Sequence, residues 1–76
     1  MECLFKIGDI VWFAEPDNWV TLNPTKQEVI GVGVNYKGEP VYETYCFTFW
    51  NKDLGTRVFR TREEAEKELE RKGYRA

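Results

Sequence analysis

Seventy-six residues, with 11 basic and 13 acidic side chains, no histidine and a formal charge of −2, hold one hydrophobic core and no more. A protein that coats nucleic acid needs a strong basic excess, so bulk phosphate binding is excluded and only a local basic patch stays open. Without histidine the commonest general base and the commonest metal ligand are missing, and neither an enzyme nor a metal or cofactor site is expected.

The opening residues Lys6-Ile7-Gly8-Asp9 form a turn signal ahead of Ile10, Val11, Trp12 and Phe13, which all suit a pleated surface. A first strand is predicted over 10–15, with Trp12 in the core. Residues 16–26 carry Pro16, Asp17, Asn18, Asn23 and Pro24, and regular structure is not expected there. Trp19 and Val20 sit in the middle of that stretch, either tucked back as a plug or standing out as a contact. A second strand is predicted over 27–35, with Ile30, Val32 and Val34 on one face and Gly31 and Gly33 on the other. Residues 35–40 read as a turn.

The longest predicted strand covers 41–50. Tyr42, Thr44, Cys46, Thr48 and Trp50 fall on one face, and Val41, Glu43, Tyr45, Phe47 and Phe49 on the other. Both faces are bulky, so both are expected to touch protein or ligand. After a turn at 51–55 comes a short strand at 57–59. The helix is predicted over 62–72: Thr61 is an N-cap, Glu64 completes a capping box, and Gly73 is the stop. Glu63–Lys67 and Glu68–Lys72 are expected as supporting pairs. Its apolar stripe is thin (Ala65 and Leu69, with Tyr74 beyond), so it covers one side of the sheet.

Together these elements predict a single α+β domain over 1–76. Its architecture is expected to be a small antiparallel SH3-like barrel, or a strongly bent sheet of about four strands, with one C-terminal helix. An open α+β sheet that pairs with another subunit is the competing architecture. Cys3 and Cys46 match no zinc spacing. Cys46 is expected as a small buried thiol on its strand, and a disulfide between the two stays open. Nothing marks secretion, and no apolar run approaches the roughly 20 residues that cross a membrane, so the cytoplasm is the expected location.

Two segments resemble known proteins. Lys6-x-Gly8-Asp9-x-Val11-Trp12 resembles the first strand of many SH3-like small barrels. Gly55-Thr56-Arg57-Val58-Phe59-Arg60-Thr61-Arg62-Glu63-Glu64-Ala65-Glu66-Lys67 resembles the closing motif of small phage and prophage proteins of Gram-positive bacteria. The likeness spans about a third of the chain. Arg57 and Arg60 depart from it, and the middle, from Trp19 to Trp50, has no counterpart. It implies an accessory protein acting in the host cell as a binder of host components: an inhibitor of a defence protein or a sponge for a defence nucleotide.

Three Trp, four Tyr and five Phe are more aromatic surface than so small a core hides easily. Either large residues fill a tight barrel, or some face a ligand, a partner or a second copy of the chain. Trp19 and Trp50 lead the candidates, with Tyr36 and Tyr42 behind them, because Trp and Tyr dominate binding hot spots. Arg57, Arg60 and Arg62 flank the last strand and the helix start. There they either balance an acidic helix or, beside a stacking aromatic, bind a nucleotide-like anion. Gly31 and Gly33 lie in a strand and so form no phosphate loop; they permit a bend or leave a bare floor for a ring. Glu43 is expected as a rim residue paired with a base.

Two functions follow as expectations. The first is a non-enzymatic antagonist of host defence that sequesters a nucleotide-like signal as a homo-oligomer. The second is a protein–protein interaction module that inhibits a host protein through the aromatic surface at Trp19 and Trp50.

Overall fold

Alternation along the first strand divides the molecule into layers. The computed structural model describes residues 2–74. In β1 (Ile10–Pro16), Val11 and Phe13 point to one side and Trp12 and Ala14 to the other, and both sides are covered. β1 lies between β2 (Pro24–Glu28) and β6 (Val58–Phe59), antiparallel to both. Phe13 is opposite Val58 and Trp12 is opposite Phe59, so neighbours across the sheet share a layer. A second antiparallel sheet has the order β3 (Gly31–Val34), β4 (Pro40–Glu43), β5 (Thr48–Trp50). It packs on the Val11–Phe13 side of the first sheet, and the helix α1 (Arg62–Arg71) packs on the Trp12–Ala14 side through Ala65.

Neither the expected SH3-like barrel nor a single strongly bent sheet of about four strands is formed. Among the described residues there are six strands in two small open antiparallel sheets and one C-terminal helix, so the α+β class and the terminal helix of the expectation hold while its sheet architecture does not. The reasons are local. Val29, fully buried, ends the pairing of β1 with β2: its N–H donates to Asp9 O, and its carbonyl accepts from Gly8. The next residue, Ile30, already donates to Glu43 O in the other sheet. The predicted 27–35 strand therefore breaks at a corner and feeds both sheets. β5 and β6, at three and two residues, are too short to close the gap between them. Pro24, Thr25 and Lys26, expected to be irregular, instead begin β2, an edge strand where a proline needs no ladder partner.

The predicted 41–50 strand also divides. Thr44 caps a tight turn: its N–H donates to Phe47 O at 2.8 Å, and its hydroxyl accepts from Phe47 N at 2.9 Å. β4 and β5 thus form a hairpin with Tyr42 opposite Phe49. Seven positions apart, these two residues would lie on opposite faces of a single strand; the hairpin puts both in the core. Cys46 lands on the turn and is exposed, not a buried thiol, and Cys3 is exposed and free as well.

A single aromatic cluster fills the space between the sheets. Phe5 stands edge-on to Tyr42 at 5.2 Å and to Phe49 at 5.3 Å; Phe13 is edge-on to Phe49 and stacks on Phe47 at 4.3 Å. Each fully buried ring contributes roughly 1.5–3 kcal/mol. Phe5 is held in place from both sides. Tyr42 Oη accepts from Leu4 N at 2.8 Å and donates to Asn51 Oδ1, while Asn51 Nδ2 donates to Glu2 O at 2.7 Å. Among the described residues no buried side-chain polar atom lacks a partner.

The helix runs Arg62–Arg71 with Thr61 as N-cap, close to expectation. Thr61 Oγ1 accepts from Glu64 N and donates to the Glu64 carboxylate at 2.8 Å, a one-sided form of the capping box. Gly73, at φ +97°, supplies the left-handed residue that ends the helix: its N–H donates to Glu70 O, and Tyr74 N–H donates to Leu69 O. The supporting pairs differ from those expected. Arg62 pairs with Glu66, and Glu68 takes Arg71 through two bonds of 2.8 and 2.7 Å. Hydrogen bonding from Arg71 holds the Glu68 carboxyl below its ordinary range.

The Tyr42 hydroxyl therefore ties the N-terminal segment to the sheet, and its removal has a defined cost. Tyr42→Phe leaves Leu4 N–H and Asn51 short of a partner and is expected to cost about 1–3 kcal/mol in urea unfolding with an unchanged m-value.

Candidate functional site

The candidate residues scatter, and only two of them meet. Tyr36 and Trp50 line one cleft of about 310 Å³, together with Lys37, Pro40, Asn51 and Lys52. Tyr36 is 93% exposed, at the tip of the turn between β3 and β4. Asn35 fixes that turn: its Oδ1 accepts from Lys37 N and Glu39 N, its Nδ2 donates to Glu39 Oε1, and Gly38 takes φ +80°. Trp50 ends β5 and is half-buried, opposite Val41 on the outer face of the sheet. Directly after it the chain enters a 3-10 turn, Asn51–Asp53. Asp53, itself buried, bends back so that its Oδ2 accepts from Trp50 N at 2.8 Å and faces Arg57 at 3.5 Å.

Both rings carry an ammonium. Lys37 Nζ lies 5.7 Å from the centre of the Tyr36 ring, and Lys52 Nζ lies 5.8 Å from the centre of the Trp50 ring. The cleft thus offers two aromatic surfaces and two cations, with Glu39 as its one lining carboxylate. Neither lysine stood out in the sequence. The available signal was that each follows an aromatic residue at a turn by one or two positions: Tyr36-Lys37 and Trp50-Asn51-Lys52.

The other candidates have work elsewhere. Tyr42 is fully buried and offers no surface to a ligand. Arg60 lies 4.5 Å over the Phe5 ring and donates to Leu4 O at 2.7 Å, so it clamps the N-terminal segment. Arg57 faces Asp53 and sits over Phe13. Arg62 bridges Glu66 and Asn23 Oδ1 and, with Lys26, flanks the Trp12 ring. Three arginines close in sequence therefore spend their charge on three different aromatic rings. Gly33 meets nothing within 4 Å of where a side chain would begin, whereas Gly31 is covered by Glu43. No base within ion-pair distance of Glu43 is found among the described residues.

Trp19 is 73% exposed and stands apart, its ring 5.6 Å from that of Tyr74. Its loop is rigidly built: Asn18 Oδ1 accepts from Val20 N, Leu22 N donates to Asn18 O, and Leu22 is held at φ 56°. A left-handed leucine costs about 1–3 kcal/mol and persists only where its surroundings enforce it. Between this loop and α1 runs a groove of about 490 Å³, lined by Leu22, Leu69, Tyr74, Glu66 and Glu70, with no basic side chain among the described residues that line it.

Among the described residues no three His, Cys, Asp or Glu side chains converge as a metal site would need. None of the described helices is long and apolar enough to cross a membrane. Compared with known proteins, the chain matches no family model, no curated protein and no solved structure.

The Trp50 geometry depends on Asp53. Replacing Asp53 by Ala frees Trp50 N–H and removes the acceptor facing Arg57, and is expected to cost about 1–3 kcal/mol in chemical unfolding. A native-state tryptophan emission shifted to the red, measured below the unfolding transition, marks the loosened cleft.

Proposed function

We infer that the chain is a non-enzymatic binding protein whose Tyr36–Trp50 cleft takes a planar anion of nucleotide type. The observation that carries this reading is the convergence of two exposed or half-exposed rings, each with a lysine over it, in one cleft between two braced turns. A base stacks on an aromatic face with little regard for its identity, and ammonium groups beside it attract phosphate. The larger groove between Thr21–Asn23 and α1 is lined by Glu66 and Glu70, which would repel the same ligand. Following the likeness of its closing segment, Gly55–Lys67, to small phage proteins, the purpose is sequestration of a host defence signal in the host cytoplasm.

Base stacking is worth roughly 1–3 kcal/mol. Trp50→Ala is therefore expected to weaken nucleotide binding about ten- to a hundredfold in calorimetric titration. Lys37→Glu with Lys52→Glu is expected to abolish it while the melting temperature of the free protein holds. If a panel of mononucleotides and cyclic oligonucleotides leaves the melting temperature of the wild-type protein unchanged, the reading is wrong.

A second reading rests on a different observation, the strained loop that holds Trp19 and Val20 out in solvent. A rigid aromatic held in solvent is the usual core of a protein hot spot, because little entropy remains to be lost on docking. On this reading Trp19→Ala abolishes capture of a host protein at unchanged stability, whereas Trp50→Ala leaves capture intact. Equal loss in both variants would count against it.

A further inference from the structure

Among the described residues four strands lie at sheet edges, and three are protected against pairing with another chain. β2 carries Pro24, Lys26 and Glu28, β6 has two residues, and β5 has three before it runs into the 3-10 turn. Short strands, charge and proline are the ordinary defences of an open edge. β3, at four residues, carries neither charge nor proline: Gly31–Val34 lies within the uncharged run Val-Ile-Gly-Val-Gly-Val-Asn-Tyr at 29–36.

The hydrogen-bond parity of that edge follows from its pairing with β4. Asn35 N donates to Glu39 O, and the neighbouring pair is Val34 with Pro40, which has no N–H to give. Val34 is thus at a non-hydrogen-bonded position, and alternation turns the N–H and C=O groups of Val32 and Val34 outward, to the free side. Their side chains share a face and are 38% and 71% exposed.

We propose that a second copy of this chain pairs antiparallel on this edge, about a two-fold axis at Gly33. Each copy's Val32 then lies opposite the other's Val34, and both pairs exchange their outward N–H and C=O groups. The same arrangement covers the exposed valines with one another. Gly33 meets itself at the non-hydrogen-bonded position on the axis, where backbones approach to about 4.5 Å between Cα atoms. Nothing lies within 4 Å of its missing side chain, so the approach is open. An uncharged strand with this parity is complementary to itself and needs no oppositely charged partner, as an isologous interface requires. The two three-stranded sheets become one of six strands. The interface is small, so association is of the weak class and depends on concentration. The inference goes beyond the ligand reading and does not rest on it, because pairing is measured with no ligand present.

Sedimentation equilibrium from low micromolar to millimolar protein reads the mass directly. The wild-type chain is expected to rise from 9.0 kDa toward twice that mass. Val34→Lys, which places a charge on the edge at an exposed position, is expected to stay at the monomer mass with an unchanged far-UV spectrum. In a Cys3→Ser, Cys46→Ser background, Gly33→Cys is expected to cross-link to a dimer on mild oxidation, since the pair on the axis is within disulfide range. A wild-type mass that stays at one chain, or a dimer that survives Val34→Lys, overturns the proposal and leaves this edge to a different strand or to none. If Val34→Lys fails to fold, the Gly33→Cys cross-link decides, and its absence at millimolar protein counts against the axis.

Discussion

The two open sheets share one core through a packed aromatic cluster: Phe13 of the first sheet stacks on Phe47 and is edge-on to Phe49, and the Phe5 ring, from outside both sheets, is edge-on to Tyr42 and Phe49 in a space that strand pairing leaves unclosed. A barrel would fill that space by hydrogen-bonding its strands around the gap. Here a segment outside the sheets supplies the ring, and polar groups hold it there. Tyr42 and Asn51 bind the backbone at Leu4 and Glu2, and Arg60 covers Phe5 while taking the Leu4 carbonyl. Burial of Phe5 and satisfaction of these polar groups are mutually dependent, so the core and its lock form as one unit.

That arrangement determines what is left for binding. Arg60 and Tyr42, attractive as ligand residues in isolation, are consumed by the lock, and Arg57 and Arg62 by the rings they cover. The candidate rings that remain exposed or half-exposed lie where turns end strands: Tyr36 after β3, Trp50 at the end of β5, and Trp19 in the loop between β1 and β2, with Tyr45 also exposed in the β4–β5 turn. Turns expose rings because their backbone needs are met locally, by Asn35, Asp53 and Asn18 respectively. Two of these turns are neighbours and build a cleft; the third leans on Tyr74 at the helix end. Openness has a second consequence. A sheet that does not close keeps its edges, and β3 is the edge without defences.

How far this was legible in the sequence depended on the range of the interactions involved. Thr61, Glu64 and Gly73 marked the helix to within a residue, because caps act over three or four positions. The Gly8 turn and β1 were readable for the same reason. The 27–35 and 41–50 runs were each read as one strand, because alternation of bulky residues continues through a corner or a tight turn without a break in pattern. Neither Val29 nor Thr44 belongs to the usual punctuating types, and the bonds that stop those strands come from Gly8, Asp9, Glu43 and Phe47.

By itself the sequence determined the α+β class of one small chain, an abundance of aromatic residues, a capped terminal helix and a formal charge of −2. Only the tertiary structure decided which aromatics are spare. Whether Tyr42 or Trp50 faces solvent turns on a hairpin at Thr44 that reverses the parity between them, and whether an arginine is free turns on which ring lies beneath it. The rings beneath the arginines belong to residues distant along the chain, and the Thr44–Phe47 turn leaves the alternation of bulky residues unbroken, so composition and spacing record neither.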